Sequence, residues 1–162
     1  MKQKTIITFV LLIAFLFGCE TDNICIEETT PHLIIRFYNN EDSSKLRKVN
    51  NLKITVKNSL NEDIQIGDIA TLDSIVVPLN VDLDYTNIYL SKYTTDDTGV
   101  VDTLAINYVR DEIFVSRSCG YKTIFNSIDV FDNSADWLWM KNVVKVKANI
   151  TNENQAHINI YH

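Results

Sequence analysis

The side chains able to do chemistry in this chain of 162 residues are few: three cysteines, three histidines, a tryptophan pair and one acidic loop. Cys19, Cys25 and Cys119 are odd in number, so in an exported protein one of them is left over from any pairing. Cys119 would serve as a nucleophile only beside a base, and a disulfide would disable it. His32, His157 and His162 lack the spacing of a zinc helix or finger, and each is expected as an ordinary surface histidine, with His157 on the wet face of a strand. Asp132, Ser134 and Asp136 alternate oxygen ligands like a fragment of a calcium loop. The glycine at the bend and the bidentate glutamate are absent, so a solvated loop is expected, and Asp96-Asp97 reads as a hairpin turn. Trp137 and Trp139 lie two apart. On a strand they would share a face and could stack a sugar ring, while Leu138 and Met140 beside them favour packing in a core. No nucleophile elbow, phosphate loop or dinucleotide fingerprint occurs. No catalytic residue, metal or cofactor is therefore nominated. A hydrolase would need a cleft joining Asp132 and Asp136.

The start of the chain supplies an address. Lys2 and Lys4 precede a segment from Ile6 to Phe17 that is apolar except for Thr8, and Leu16-Phe17-Gly18-Cys19 closes it. This reads as a secretory signal peptide. Its apolar run of about a dozen residues falls short of the ~20 that span a bilayer, and no later segment is continuously apolar. Removing residues 1–18 leaves 13 basic residues against 21 acidic ones, a net charge of −8 against −6 for the whole chain. Such a domain repels phosphate backbones, which argues against nucleic acid as a partner. Residues 19–31 read as an acidic tether ending at Pro31, and residues 32–162 as one domain.

That domain alternates with a period of two. Leu33, Ile35 and Phe37 share one face; so do Leu52, Ile54 and Val56. Asp63 to Ile66 is a short candidate strand, and Ile75, Val77 and Leu79 form another that Pro78 pushes to an edge. Tyr85 to Tyr93 and Val100 to Tyr108 flank turn chemistry at residues 94–99, with Ile88, Leu90, Leu104 and Ile106 facing inward. Val109 to Glu112 is expected to reverse the chain into Ile113 to Ser118, and Cys119-Gly120 to reverse it again into Tyr121 to Ile128. A closing hairpin is expected to turn Val144, Val146, Ala148 and Ile150 inward, opposite Ile158 and Ile160. Roughly nine strands separated by turns predict an all-β fold, an antiparallel β-sandwich of immunoglobulin-like or transthyretin-like kind.

Several short stretches resemble known signals. Leu16-Phe17-Gly18-Cys19 resembles the lipobox of bacterial lipoproteins, which implies cleavage before Cys19 and a lipid on its sulfur. Cys25 and Cys119 are then left to pair in an oxidising compartment, with two unpaired thiols as the alternative. Cys19-Glu20-Thr21-Asp22 resembles the surface-export signal of lipoproteins in Bacteroidota-type bacteria. Asp73-Ser74-Ile75 and Asp102-Thr103-Leu104 resemble their O-glycosylation motif, at Ser74 and Thr103. Cys25 with Thr30-Pro31, the segment from Phe114 to Tyr121, and the closing Ala156 to Tyr161 resemble an uncharacterised family of envelope lipoproteins from that group, a domain of unknown function. The resemblance implies a Cys25–Cys119 pair and supplies no activity. The expected protein is non-enzymatic, held to the outer membrane by lipid on Cys19 in a structural or accessory role, with an envelope protein as partner through an edge strand; the alternative is a module that binds glycan or a small ligand.

Overall fold

A computed structural model describes residues 24–26, 29–94, 99–131 and 134–162. Cys19, the rest of the leader, Asp96-Asp97 and Asp132 lie outside the described residues. Among the described residues ten strands run in chain order: β1 (Leu33–Tyr38), β2 (Val49–Lys57), β3 (Asp63–Gln65), β4 (Ala70–Leu72), β5 (Ser74–Val77), β6 (Tyr85–Tyr93), β7 (Gly99–Ser116), β8 (Gly120–Val130), β9 (Asn142–Lys145) and β10 (Ile158–Tyr161). They form two sheets of a β-sandwich. One has the order β5-β1-β10-β9; the other has β3-β2-β6-β7-β8, with β4 also pairing with β2.

The alternation of the sequence decides which side of each strand is dry. Leu33, Ile35, Phe37 and Ile158, Ile160 from one sheet meet Leu52, Ile54, Ile88, Leu90, Leu104 and Ile106 from the other in a single core. β5 lies at a sheet edge, where Pro78 just beyond it costs no ladder bond. Register shifts break the strict period at three places, one of them between Phe114 and Ser116 of β7. Asn51 (φ 48°) and Ser127 (φ 53°) take left-handed backbone where β2 shifts register against β4 and β8 against β7. The extra residue lets Val49 and Leu52, three apart, both face inward.

Two local expectations are corrected. The chain does not reverse at Val109–Glu112: β7 continues unbroken from Gly99 to Ser116, because Val109 to Phe114 pair in register with β8. The closing hairpin forms, with β9 and β10 antiparallel and Ile150, Ile158 and Ile160 buried as expected, but with a longer loop and another register. β9 ends at Lys145, and a loop leads to β10. Ile160 pairs with Val143, so Val143 packs against the core while Val144 and Val146 are exposed. Finally, the expected antiparallel β-sandwich is formed with one exception in its pairing: β1 and β10 run parallel, with Ile35 opposite Ile158 and Phe37 opposite Ile160.

Candidate functional site

The most distinctive feature of the fold is a two-stranded arm. β6 starts at Tyr85, opposite Asn107, so β7 and β8 run on without it and pair as far as Ser116 and Gly120. Gly120 (φ 71°) supplies the left-handed backbone for the reversal at the tip. Cys119 in that turn is bridged to Cys25, with 4.8 Å between their Cα atoms, an ordinary separation for a disulfide. Thr30 also contacts the arm: its Oγ1 accepts a hydrogen bond from the Thr123 N–H at 3.0 Å. The base of the arm is braced from two sides. Arg110 Nε donates to Asp84 Oδ1 at 2.8 Å and its Nη1 donates to the Val81 carbonyl; the Asp84 carboxylate raises the guanidinium pKa further. On the other side Phe125 and Ile150 exchange main-chain hydrogen bonds of 3.2 and 2.7 Å. Beyond these braces Ile113, Phe114 and Tyr121 are exposed, the last two with rings 5.4 Å apart at 67°.

The tryptophans have a different role from stacking a sugar. They lie on no strand but in the loop that follows the 3-10 turn Ser134–Asp136. The Trp139 indole is 7% exposed; its ring packs 6.2 Å from Phe37 and 5.6 Å from His162, and its Nε1–H donates to the Leu90 carbonyl at 3.2 Å. Trp137 is half-buried against the core, and its Nε1–H donates to the Thr103 carbonyl at 3.3 Å. An exposed stacking platform is therefore not formed, because the core claims the apolar faces. Asp102 holds this loop. Its side chain is 1% exposed and accepts the N–H groups of Leu138, Trp139 and Met140 at 2.6, 2.9 and 2.7 Å. A buried carboxylate is tolerable only when so satisfied. The sequence carried a signal for this residue: Asp102 is in phase with Leu104, Ile106 and Tyr108 on the buried face of β7.

Two histidines expected at the surface are buried. His157 is 2% exposed and sits just before β10, where strand alternation no longer applies. Its Nδ1 accepts the Ile34 N–H at 3.0 Å, so Nε2 carries the proton and donates to the Asn152 carbonyl at 3.1 Å. His162 Nε2 donates to the Arg47 carbonyl at 3.1 Å. Burial lowers the pKa of both. Only His32 keeps substantial exposure, paired at 2.5 Å with Glu153, whose carboxyl it holds below the usual range.

Other sites offer little chemistry. The Tyr108 hydroxyl donates to the Asn80 carbonyl at 2.8 Å and lies 2.7 Å from Thr86 Oγ1, which accepts the Asn80 N–H. Burial pushes its pKa up to about 12, against the lowering effect of those partners. Beside this network Val56, Ile64, Pro78, Leu79 and Val81 line a groove of about 200 Å³, smaller than the usual ligand site. Among the described residues no cluster of three or more His, Cys, Asp or Glu is arranged to hold a metal. Asp136 is exposed on its turn. Of the two resemblances to glycosylation motifs, Ser74 is exposed at the start of β5, and Thr103 is half-buried within β7, whose neighbour Asp102 is committed to the tryptophan loop.

No curated protein and no solved structure is significantly similar to the chain. The model of a family of unknown function, DUF6452, matches residues 51–162, which span β2 through β10 apart from the first two residues of β2. The chain belongs to that family.

Proposed function

We propose that this protein is a lipid-anchored component of a bacterial cell envelope, and that its sandwich is a structural or accessory contact module rather than an enzyme. The observation that carries the reading is the Cys25–Cys119 disulfide. A structural bridge belongs to an oxidising compartment, and it leaves Cys19 as the odd cysteine, at the end of an apolar leader and inside a lipobox-like sequence. Glu20 and Asp22 behind it favour an outer-membrane lipoprotein that faces outward. The partner is a protein or glycan of the envelope. Glycan or small-ligand binding is supported less well, since Trp139 is buried and the apolar groove is small.

Metabolic labelling with palmitate tests the anchor. The wild-type chain is expected to take up label and to fractionate with membranes through a salt wash, and Cys19→Ala to take up none. An unlabelled wild type, or a Cys19→Ala variant that keeps its label, would sink the reading.

A further inference from the structure

We infer that the tip of the β7–β8 arm docks on the lipid bilayer and holds the sandwich at a fixed attitude to the membrane. This rests on the anchor at Cys19 proposed above. The bridge ties Cys25 to Cys119 in the turn of the arm, and about six residues separate Cys25 from Cys19, a reach of roughly 20 Å even when fully extended. A lipid on Cys19 therefore keeps the tip, and no other end of the molecule, within that distance of the membrane.

The tip has the chemistry of an interfacial surface. Phe114 is 55% exposed and Tyr121 67% exposed, and Ile24 and Ile26, which flank the bridged Cys25, are exposed further still, at 79% and 90%. An aromatic pair with a phenol hydroxyl suits the boundary between headgroups and acyl chains. Arg117 in the turn and Lys122 beside Tyr121 are the charged groups from Ile113 to Ile128, with no carboxylate between them. Glu27 and Glu28 follow Ile26 in the sequence, so the attachment is apolar rather than Coulombic and should withstand salt. The braces at Arg110 and at Phe125–Ile150 give the arm a stiff base. A stiff arm transmits the attitude of its tip to the sandwich; a tether alone would leave the domain free to turn.

The test uses the full-length protein, matured in a lipidating host and reconstituted into phosphatidylcholine vesicles whose acyl chains carry bromine near the headgroup. Tryptophan replaces Phe114, or Tyr121 on the facing strand, as a contact reporter; Val101→Trp, about 40 Å back along β7, is the control. Near-UV circular dichroism checks that each variant folds, and the mass of the N-terminal peptide reports the lipid. We expect bromolipid to quench the reporters at 114 and 121 at least threefold more than the one at 101, unchanged from low salt to 0.5 M. Equal quenching at all three positions in lipidated protein overturns docking and leaves the anchor standing. So does a crosslink through Lys122 to another polypeptide with no quenching at 114, which would give the tip to a protein partner. Absence of the lipid overturns both readings.

Discussion

Replacing Asp102 with alanine removes the acceptor of three main-chain N–H groups, those of Leu138, Trp139 and Met140, and leaves all three donors in place. Each buried donor without a partner costs roughly 1–3 kcal/mol. Two of the donors, on Trp139 and Met140, are buried, so Asp102→Ala is expected to lose at least about 2 kcal/mol in urea unfolding, with Trp139 emission shifting to the red as its loop lifts. Asp102→Asn keeps one carbonyl oxygen and should fall between the variant and the wild type; an alanine variant as stable as the wild type would mean the loop is held by its indoles instead. His157 gives a pH dependence of definite sign. Its pKa is lowered on folding, chiefly by burial, so below the unfolded value of about 6.5 the unfolded chain binds more protons. Stability is full above that pH and falls as pH drops from about 6.5 toward the folded pKa, by at most about 1.4 kcal/mol per unit for this group. Urea midpoints from pH 7.5 to 5.5 should show the slope, and His157→Asn should flatten it, leaving a shallower slope from His162. Both residues escape the sequence reading, for different reasons. Asp102 sits in phase with the apolar face of β7, a signal passed over when it is read only as part of the motif at Thr103, whereas His157 lies outside any strand, where period says nothing about burial.

The arm shows how an element can be misread from correct residues. Val109 to Glu112 ends in two acids, which looks like a turn, yet these residues continue β7 because β8 offers them a partner. Pairing is non-local, and local composition does not report it. The same holds for β9: the alternation of Val144, Val146 and Ala148 was real, but the register with β10 selects Val143 for the core. By contrast, the inward faces of β1, β2 and β6 were legible, since each is long enough for the period to be unambiguous. The bridge at the arm's tip has an expected cost of removal. In the chain-entropy model a loop closed over a separation of 94 residues contributes roughly 4–5 kcal/mol at most. Cys25→Ser with Cys119→Ser should approach that loss in denaturant unfolding while the far-UV spectrum of the sheets stays unchanged. Hydrogen exchange should quicken at Thr123, whose N–H depends on Thr30 beside the bridge. Loss of the sheet spectrum instead would show that the bridge holds the sandwich together and not only the arm.

At the scale of the molecule, the parallel pairing of β1 with β10 joins the two ends of the domain in the middle of one sheet. No local pattern in the sequence encodes that choice, because an inward-facing Ile158 and Ile160 would serve equally at an edge. It follows that β10 matters more than its four residues suggest. It separates β1 from β9, so without it β9 has no neighbour and β1 keeps only β5. Its loss also strips Ile158 and Ile160, both fully buried, from the core. The last residue adds to the lock: Arg47 Nη1 donates to the His162 carbonyl at 2.9 Å, and the Asn40 N–H donates to the same oxygen at 3.2 Å. Deleting residues 158–162 combines the removal of two buried isoleucines, each about 2–5 kcal/mol when cut back only to alanine, with the loss of two strand ladders. That is comparable with the whole stability of an ordinary domain, so the truncated chain should show no cooperative unfolding transition. An insertion of three residues after Leu60, in the exposed turn between β2 and β3, lengthens the same chain without touching the core, and its urea midpoint should stay close to that of the wild type. If the truncated chain unfolded cooperatively near the wild-type midpoint, the sheet order β5-β1-β10-β9 could not be what closes this sandwich.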